Sequence, residues 1–256
     1  MSLLSVRSLT KSFYALKAVN EVSFDIKEGE ILGVIGPNGS GKTTLFNCIS
    51  GITKPDSGEI IFNGKNICGK SIHAISKIGI RRTFQTIRLF KDMSVAENIY
   101  SGYYSTSKQN IFHALTHLGG YKRDEAEAWQ AVKDIAKFFK IDKYLTARAG
   151  ELAYGIQRKV EIARAMLAKP KLLILDEPAA GMNDQEKIEL SAMIQDILSK
   201  GTTVLMIEHD MDMVMELCHR LIVLNQGVLL AEGLPAEIQE NREVVEAYMG
   251  VDEDEL

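Results

Sequence analysis

Apolar and polar residues change their rhythm three times along the chain. Near the start, "LLSVRSL" and "AVNEVSFDI" alternate apolar and polar positions, the pattern of half-buried strands. "EILGVIG" is then nearly continuous in apolar residues, as a central buried strand requires. It runs into "GPNGSGKTT" and a helix around "LFNCISG"; "KPDSG" turns the chain, and "EIIFNGKNI" returns it as a strand. From Arg88 to about Ala168 the period becomes helical. In "DEAEAWQAVKDIAKFFK", Trp129, Val132, Ala136 and Phe139 fall on one stripe, the mark of a core-facing helix. "GYYSTSKQNIFHALTHLGGYK" is less regular and suits a surface insertion with a short helix.

Strands and helices alternate again after that. "KLLILDE" and "TTVLMIEHD" are buried strands; "DQEKIELSAMIQDILSK" and "MDMVMELCHR" are helices. "RLIVLNQGVLLAEG" is a hairpin turning near Asn225 to Gly227, and "PAEIQENREVVEAYMG" closes as a helix. This order predicts an α/β fold with a mostly parallel sheet, an N-terminal antiparallel β layer and an inserted α-helical subdomain. The expected division places the core at residues 1–86 and 169–250, the helical subdomain at about 87–168, and an acidic tail at 251–256.

Composition excludes several classes. At 256 residues and 46% hydrophobic content the chain can build one substantial core. A net charge of −4 gives no footprint for nucleic acid. Cys48, Cys68 and Cys218 are scattered and odd in number, which suits a reducing compartment rather than a disulfide framework. His113 and His117 stand four apart without a third ligand, so no metal cluster is expected there. "MSLLSVRSLTKSF" has no signal-peptide core, and no apolar run reaches the ~20 residues of a membrane helix. Membrane association is therefore expected through a partner.

The chemistry centres on "GPNGSGKT", a phosphate loop in its confirming place between an apolar strand and a helix. Gly36, Pro37, Asn38, Gly39, Ser40 and Gly41 would curl backbone N–H groups around phosphate oxygens. Lys42 would reach the β- and γ-phosphates, the Thr43 hydroxyl a Mg²⁺ ion, and Thr44 the α-phosphate. In "LLILDEP", Asp176 ends a buried strand, where its carboxylate can hold Mg²⁺ through water; Glu177 is the natural base for an attacking water. His209 ends the next strand, and strand ends converge on one edge of such a sheet. A second glycine, Gly155, opens the helix of "ELAYGIQRKVEIARAMLAK". It either turns the chain or brings another helix N-terminus to an anion.

With these motifs in this order, the chain resembles the ATP-binding subunits of ABC transporters from about Leu3 to Gly250. The resemblance implies ATP and Mg²⁺ as ligands and a head-to-tail dimer, in which the signature helix of one subunit closes on ATP held by the other. It makes Gln85, in "RTFQ", the glutamine that senses Mg²⁺ and water. It makes His209 the switch histidine and Phe13 the aromatic stacked on adenine, with Tyr14 the alternative. Ala153, Tyr154 and Gly155 fall on the signature turn and would meet the opposing nucleotide. Ala153 and Tyr154 depart from the usual serine and glycine, and Asn183 from the usual aspartate.

"GIRRTFQTIRLFKDMSVAENI", "DEPAAGMN", "IEHDMDMVMELC" and "VVEAYMG" further resemble the longer ATPase of branched-chain and other hydrophobic amino-acid importers. That implies transmembrane permease subunits, a periplasmic or extracellular substrate-binding protein, and a peripheral place on the cytoplasmic face of the membrane. Alternatives are the ATPase of lipopolysaccharide export, that of a urea or amide importer, and a regulatory ATP-binding module with little turnover. The apolar residues of "IRLFKDMSV" form either a groove for a permease helix or ordinary packing.

Overall fold

A computed structural model describes residues 2–103 and 121–249. The irregular stretch with His113 and His117, and the acidic tail, lie outside the described residues.

Two sheets form the frame. The first, in order β2-β1-β4-β5, is antiparallel: β1 (Ser2–Phe13), β2 (Leu16–Lys27), β4 (Ser57–Phe62) and β5 (Lys65–Asn66). The second runs β10-β9-β3-β8-β7-β6. Its strands are β3 (Ile31–Ile35), β6 (Ile80–Arg82), β7 (Leu172–Asp176), β8 (Thr203–Ile207), β9 (Arg220–Asn225) and β10 (Val228–Gly233). Only β10 pairs antiparallel in it, through the expected hairpin. Every residue of β3, β7 and β8 is buried, which is why these strands lack alternation in the sequence.

One apolar cluster fills the space between the two sheets and takes in Leu45, Phe46 and Ile49 of α1 (Lys42–Ile49). The other lies on the opposite face of the parallel sheet. It holds residues of α6 (Asp184–Ser199) and α7 (Met211–Leu217), and of the helical region. That region contains α3 (Val95–Ser101), α4 (Tyr121–Phe138) and α5 (Tyr154–Met166). Val132, Ala136 and Phe139 are buried as the stripe requires, and Trp129 stacks on Tyr100 at 4.6 Å.

Four elements differ from the sequence reading. α2 (Ile72–Lys77) was not anticipated, since six residues carry too little periodicity. Nor was β6, because the arginines of "GIRRTF" interrupt an apolar run; one of them is buried against an acid. Residues 87–94 and 139–153 are turns and short 3-10 segments rather than continuous helix. The fully buried Asn98 holds the first stretch: it accepts from the Phe90 N–H and donates to the carbonyls of Phe90, Met93 and Ser94. Finally, the closing helix is two, α8 (Pro235–Gln239) and α9 (Arg242–Met249).

Candidate nucleotide site

Gly36–Gly41 leaves the carboxyl end of β3 and enters α1. Two of its glycines are fixed by neighbours as well as by positive φ. A β-carbon on Gly36 (φ 145°) would stand 2.0 Å from the Leu224 carbonyl oxygen, and one on Gly41 (φ 103°) 2.2 Å from that of Ala18. β9 and β2 therefore form the walls of the loop. The Gly227 N–H donates to the Ser40 carbonyl (3.0 Å), and the Asn20 N–H to the Gly227 carbonyl (2.7 Å). The N–H groups of Asn38, Gly39 and Gly41 find no acceptor among the described residues, which leaves them for phosphate oxygens. Lys42 Nζ donates to the carbonyls of Gly36 (2.6 Å) and Pro37 (2.9 Å). Burial lowers the pKa of this ammonium, and Glu177 opposes the shift. Thr43 is exposed at the helix N-terminus, with Thr44 half-buried behind it. A cradle of free amides, a lysine and a hydroxyl at a helix start fits a nucleoside triphosphate with Mg²⁺.

Gln85, Glu177 and His209 come together. Glu177 follows β7 with φ 45°, and its N–H donates to the Ile207 carbonyl of β8. Gln85 Nε2 donates to Glu177 Oε2 at 2.6 Å, and His209 Nε2 lies 3.2 Å from Glu177 Oε1. Both carboxylate oxygens are thus held, while the group keeps partial exposure to solvent.

Asp176 has a partner that sequence reasoning missed. Arg82 Nη2 donates to its Oδ2 at 2.7 Å, with the two side chains only 6% and 8% exposed. Arg82 Nη1 donates to Asn47 Oδ1 (2.7 Å) and Ser50 Oγ (2.9 Å) of α1 and the residue capping it. Among the described residues no donor reaches Asp176 Oδ1, so one oxygen remains for a hydrated cation. Glu208 was missed too. It accepts from the N–H groups of Ala179 (2.6 Å) and His209 (3.1 Å), tying the segment after Glu177 to the end of β8; burial pushes its pKa up. Tyr248 of α9 lies near the Gly36 backbone, which opposes the rise that burial gives its phenol pKa. A lone tyrosine in a terminal helix carries no sequence signal for that contact.

Phe13 ends β1 and is 45% exposed, with Lys11 Nζ 5.5 Å above its ring; Tyr14 is fully exposed in the following turn. Ala153 occupies the N-cap of α5 without a side-chain cap, Tyr154 is 41% exposed, and Gly155 is buried. A β-carbon on Gly155 would stand 2.6 Å from Glu186 Oε1 of the same chain. That atom is the tip of a flexible side chain, so a β-carbon here would displace the Glu186 carboxylate rather than part the two helices. Asn183 is the N-cap of α6. Its side chain accepts from the Glu186 N–H (3.0 Å), and Glu186 accepts from the Asn183 N–H (3.1 Å). An aspartate would cap equally well, so the departure at 183 leaves this helix start intact. In "IRLFKDMSV" the two readings divide: Leu89 packs against the core, whereas Phe90 is 55% exposed.

Residues 19–180 match the family model described as ABC transporter, and 228–254 the one described as branched-chain amino acid ATP-binding cassette transporter. The chain is 41% identical over 249 residues to the high-affinity branched-chain amino acid transport ATP-binding protein BraF of Pseudomonas aeruginosa. Identity to LivG of Escherichia coli is also 41% over 249 residues; each alignment covers 97% of this chain and 98% of the relative. A LivG-type relative in Archaeoglobus fulgidus is 37% identical over the whole chain. Among solved structures, the ADP conformation of an ATP-binding cassette of an ABC transporter superposes with a TM-score of 0.85. It is 33% identical and covers 98% of this chain and 99% of that one. With the phosphate loop, the triad of Gln85, Glu177 and His209, and this match along nearly its full length, the chain belongs to the ABC transporter family of ATP-binding cassettes.

Proposed function

We propose that this chain is the ATP-hydrolysing subunit of a membrane importer for branched-chain or other hydrophobic amino acids. The observation that carries the reading is the convergence of Gln85 and His209 on Glu177, beside the phosphate loop and Asp176. The names of its relatives support the substrate class.

The amides of the loop, Lys42 and Thr44 hold the phosphates, and Phe13 stacks on adenine. Thr43, Asp176 and Gln85 hold Mg²⁺, which neutralises phosphate charge when bound. Glu177 takes the proton of the water that attacks the terminal phosphoryl group, while Gln85 and His209 fix the orientation of its carboxylate. Ala153, Tyr154 and Gly155 face the nucleotide of a second subunit, identical or not, in a head-to-tail dimer. The exposed Phe90 offers the transmembrane permeases an apolar contact, and a periplasmic or extracellular binding protein delivers the substrate. The subunit works peripherally, on the cytoplasmic face, held there by its permeases; no described helix is long and apolar enough to cross a membrane. We place the helical subdomain at about 87–168 and the ATPase core at 1–86 and 169–250.

Phosphate release by the purified chain, alone and with its permeases, tests this. Glu177→Gln should retain ATP binding and lower turnover by about 10²- to 10⁴-fold. Turnover at the wild-type rate in that variant would reject Glu177 as the base. Leucine uptake by vesicles carrying the assembled transporter tests the substrate class.

A further inference from the structure

Arg158 is buried completely within α5, and its terminal nitrogens spend all four of their hydrogens. Nη1 donates to the Phe84 carbonyl (2.8 Å) and to Glu161 Oε2 (2.8 Å). Nη2 donates to the Gln85 carbonyl (2.8 Å) and to the Tyr154 hydroxyl oxygen (3.1 Å). Glu161 uses its other oxygen to accept from the Arg88 N–H (3.1 Å). One buried ion pair on α5 thus grips the backbone at residues 84, 85 and 88. The Gln85 side chain leaves this gripped segment for Glu177. At the other end of the relay, the Tyr154 ring lies beside Gly181, in the loop that follows Glu177; a β-carbon on Gly181 would be 3.7 Å from Tyr154 Cε1.

A guanidinium sealed from water loses stability for every hydrogen left without an acceptor, and the Arg158 Nε–H already has none among the described residues. The Tyr154 hydroxyl is the fourth acceptor, and the usual glycine at this position could not supply it. Without that oxygen one Nη2–H is left unpaired beside the Gln85 carbonyl, and the guanidinium must turn or admit water. Either response moves the backbone that carries Gln85.

We propose that Tyr154 is a positioning residue for the catalytic carboxylate of its own subunit. Acting through Arg158, its hydroxyl sets the backbone of Phe84 and Gln85 and so seats the Gln85 amide on Glu177. The turn that faces a second subunit's nucleotide is thereby wired to the base of the subunit that carries it. This role rests on the reading of Glu177 as the base.

Tyr154→Phe keeps the partly exposed ring and removes only the oxygen. On the isolated subunit without nucleotide, hydrogen–deuterium exchange of peptides spanning 84–90 should quicken about tenfold, the loss expected for one bond to a charged group. Peptides from β3 and β8 should exchange as in wild type. In steady-state hydrolysis kcat should fall about tenfold with KM within about twofold, the mark of a lost positioning contact. Unchanged exchange at 84–90 overturns the proposal, because it places the tyrosine's effect wholly at the opposing nucleotide. Exchange raised evenly across the sheet also overturns it, as general loosening. A raised KM with unchanged kcat does the same. If wild type hydrolyses no ATP, the proposed function fails, and the exchange experiment still decides whether the hydroxyl holds the 84–90 backbone.

Discussion

Removing Arg82 should cost the protein a large part of its stability. Arg82→Met keeps much of the side chain's length and apolar stem but leaves Asp176, 8% exposed, without its cation. Breaking a buried pair from one side costs about 3–5 kcal/mol, chiefly the penalty of the abandoned charge. Asn47 and Ser50 lose a donor as well. Domains are stable by about 5–15 kcal/mol, so about a fifth or more of the margin is at stake. At about 2–4 °C per kcal/mol for a chain of this size, the melting midpoint should fall by about 6–20 °C. Adding Asp176→Asn removes the stranded charge, so the double variant should recover about 2 kcal/mol relative to Arg82→Met. The assay is urea unfolding of all four proteins of the cycle, with chelator and without nucleotide. A loss below about 1 kcal/mol in Arg82→Met, or losses that simply add to within about 0.5 kcal/mol, would refute the coupling.

Other expectations follow from the same geometry. Gly155→Ala should cost the subunit little, because its β-carbon meets only the flexible tip of Glu186, and Glu186→Ala in the same chain should remove what cost there is in thermal unfolding. A loss that persists in the double variant would mean that Glu186 does not set it. Gly155→Asp paired with Glu186→Ala then isolates the effect of the aspartate on ATP-driven dimerisation, read by sedimentation. Phe13→Ala should weaken binding of a fluorescent ATP analogue by about 1–3 kcal/mol, the worth of a base–aromatic stack, whereas Tyr14→Ala should leave it unchanged. A thiol reagent at pH 8 should modify Cys68 first. Burial pushes Cys48 up to about 11 and Cys218 to about 12, so both remain protonated and shielded until urea is added. Equal labelling rates at all three would contradict that order.

Most of the frame and much of the site were legible because they depend on local residue type. The glycines of the phosphate loop, the apolar runs ending in Asp176 and His209, and the stripe from Val132 to Phe139 announce their roles by spacing. The partners of these groups were not legible. Arg82 and Asp176 are 94 residues apart, Arg158 and Gln85 73, and only folding makes them neighbours. An arginine in sequence looks like a surface residue, yet Arg158 is buried and Arg82 nearly so. The cap at Asn183 was readable in principle, since asparagine followed three residues later by glutamate marks a helix start. Gly155 shows the reverse difficulty: its position at a helix start fits two explanations, and its neighbour Glu186 is brought beside it only by folding.

The placement of β3 bears on how the chain folds as it leaves the ribosome. Its two neighbours in the sheet are β8 and β9, which begin at Thr203 and Arg220. The walls of the phosphate loop likewise include the Leu224 carbonyl and the Gly227 N–H. Five apolar residues and the loop that follows them are thus synthesised long before anything can pair with either edge of the strand. A nascent chain stopped short of residue 220 has the whole "GPNGSGKT" sequence but only part of its mould. Nucleotide affinity should therefore arrive abruptly and late in translation, together with sheet closure, rather than when the motif emerges. Long-range pairing of this kind is slow and leaves an apolar strand open to wrong partners. Exposure of that strand during synthesis is the cost of building the loop against the far end of the chain.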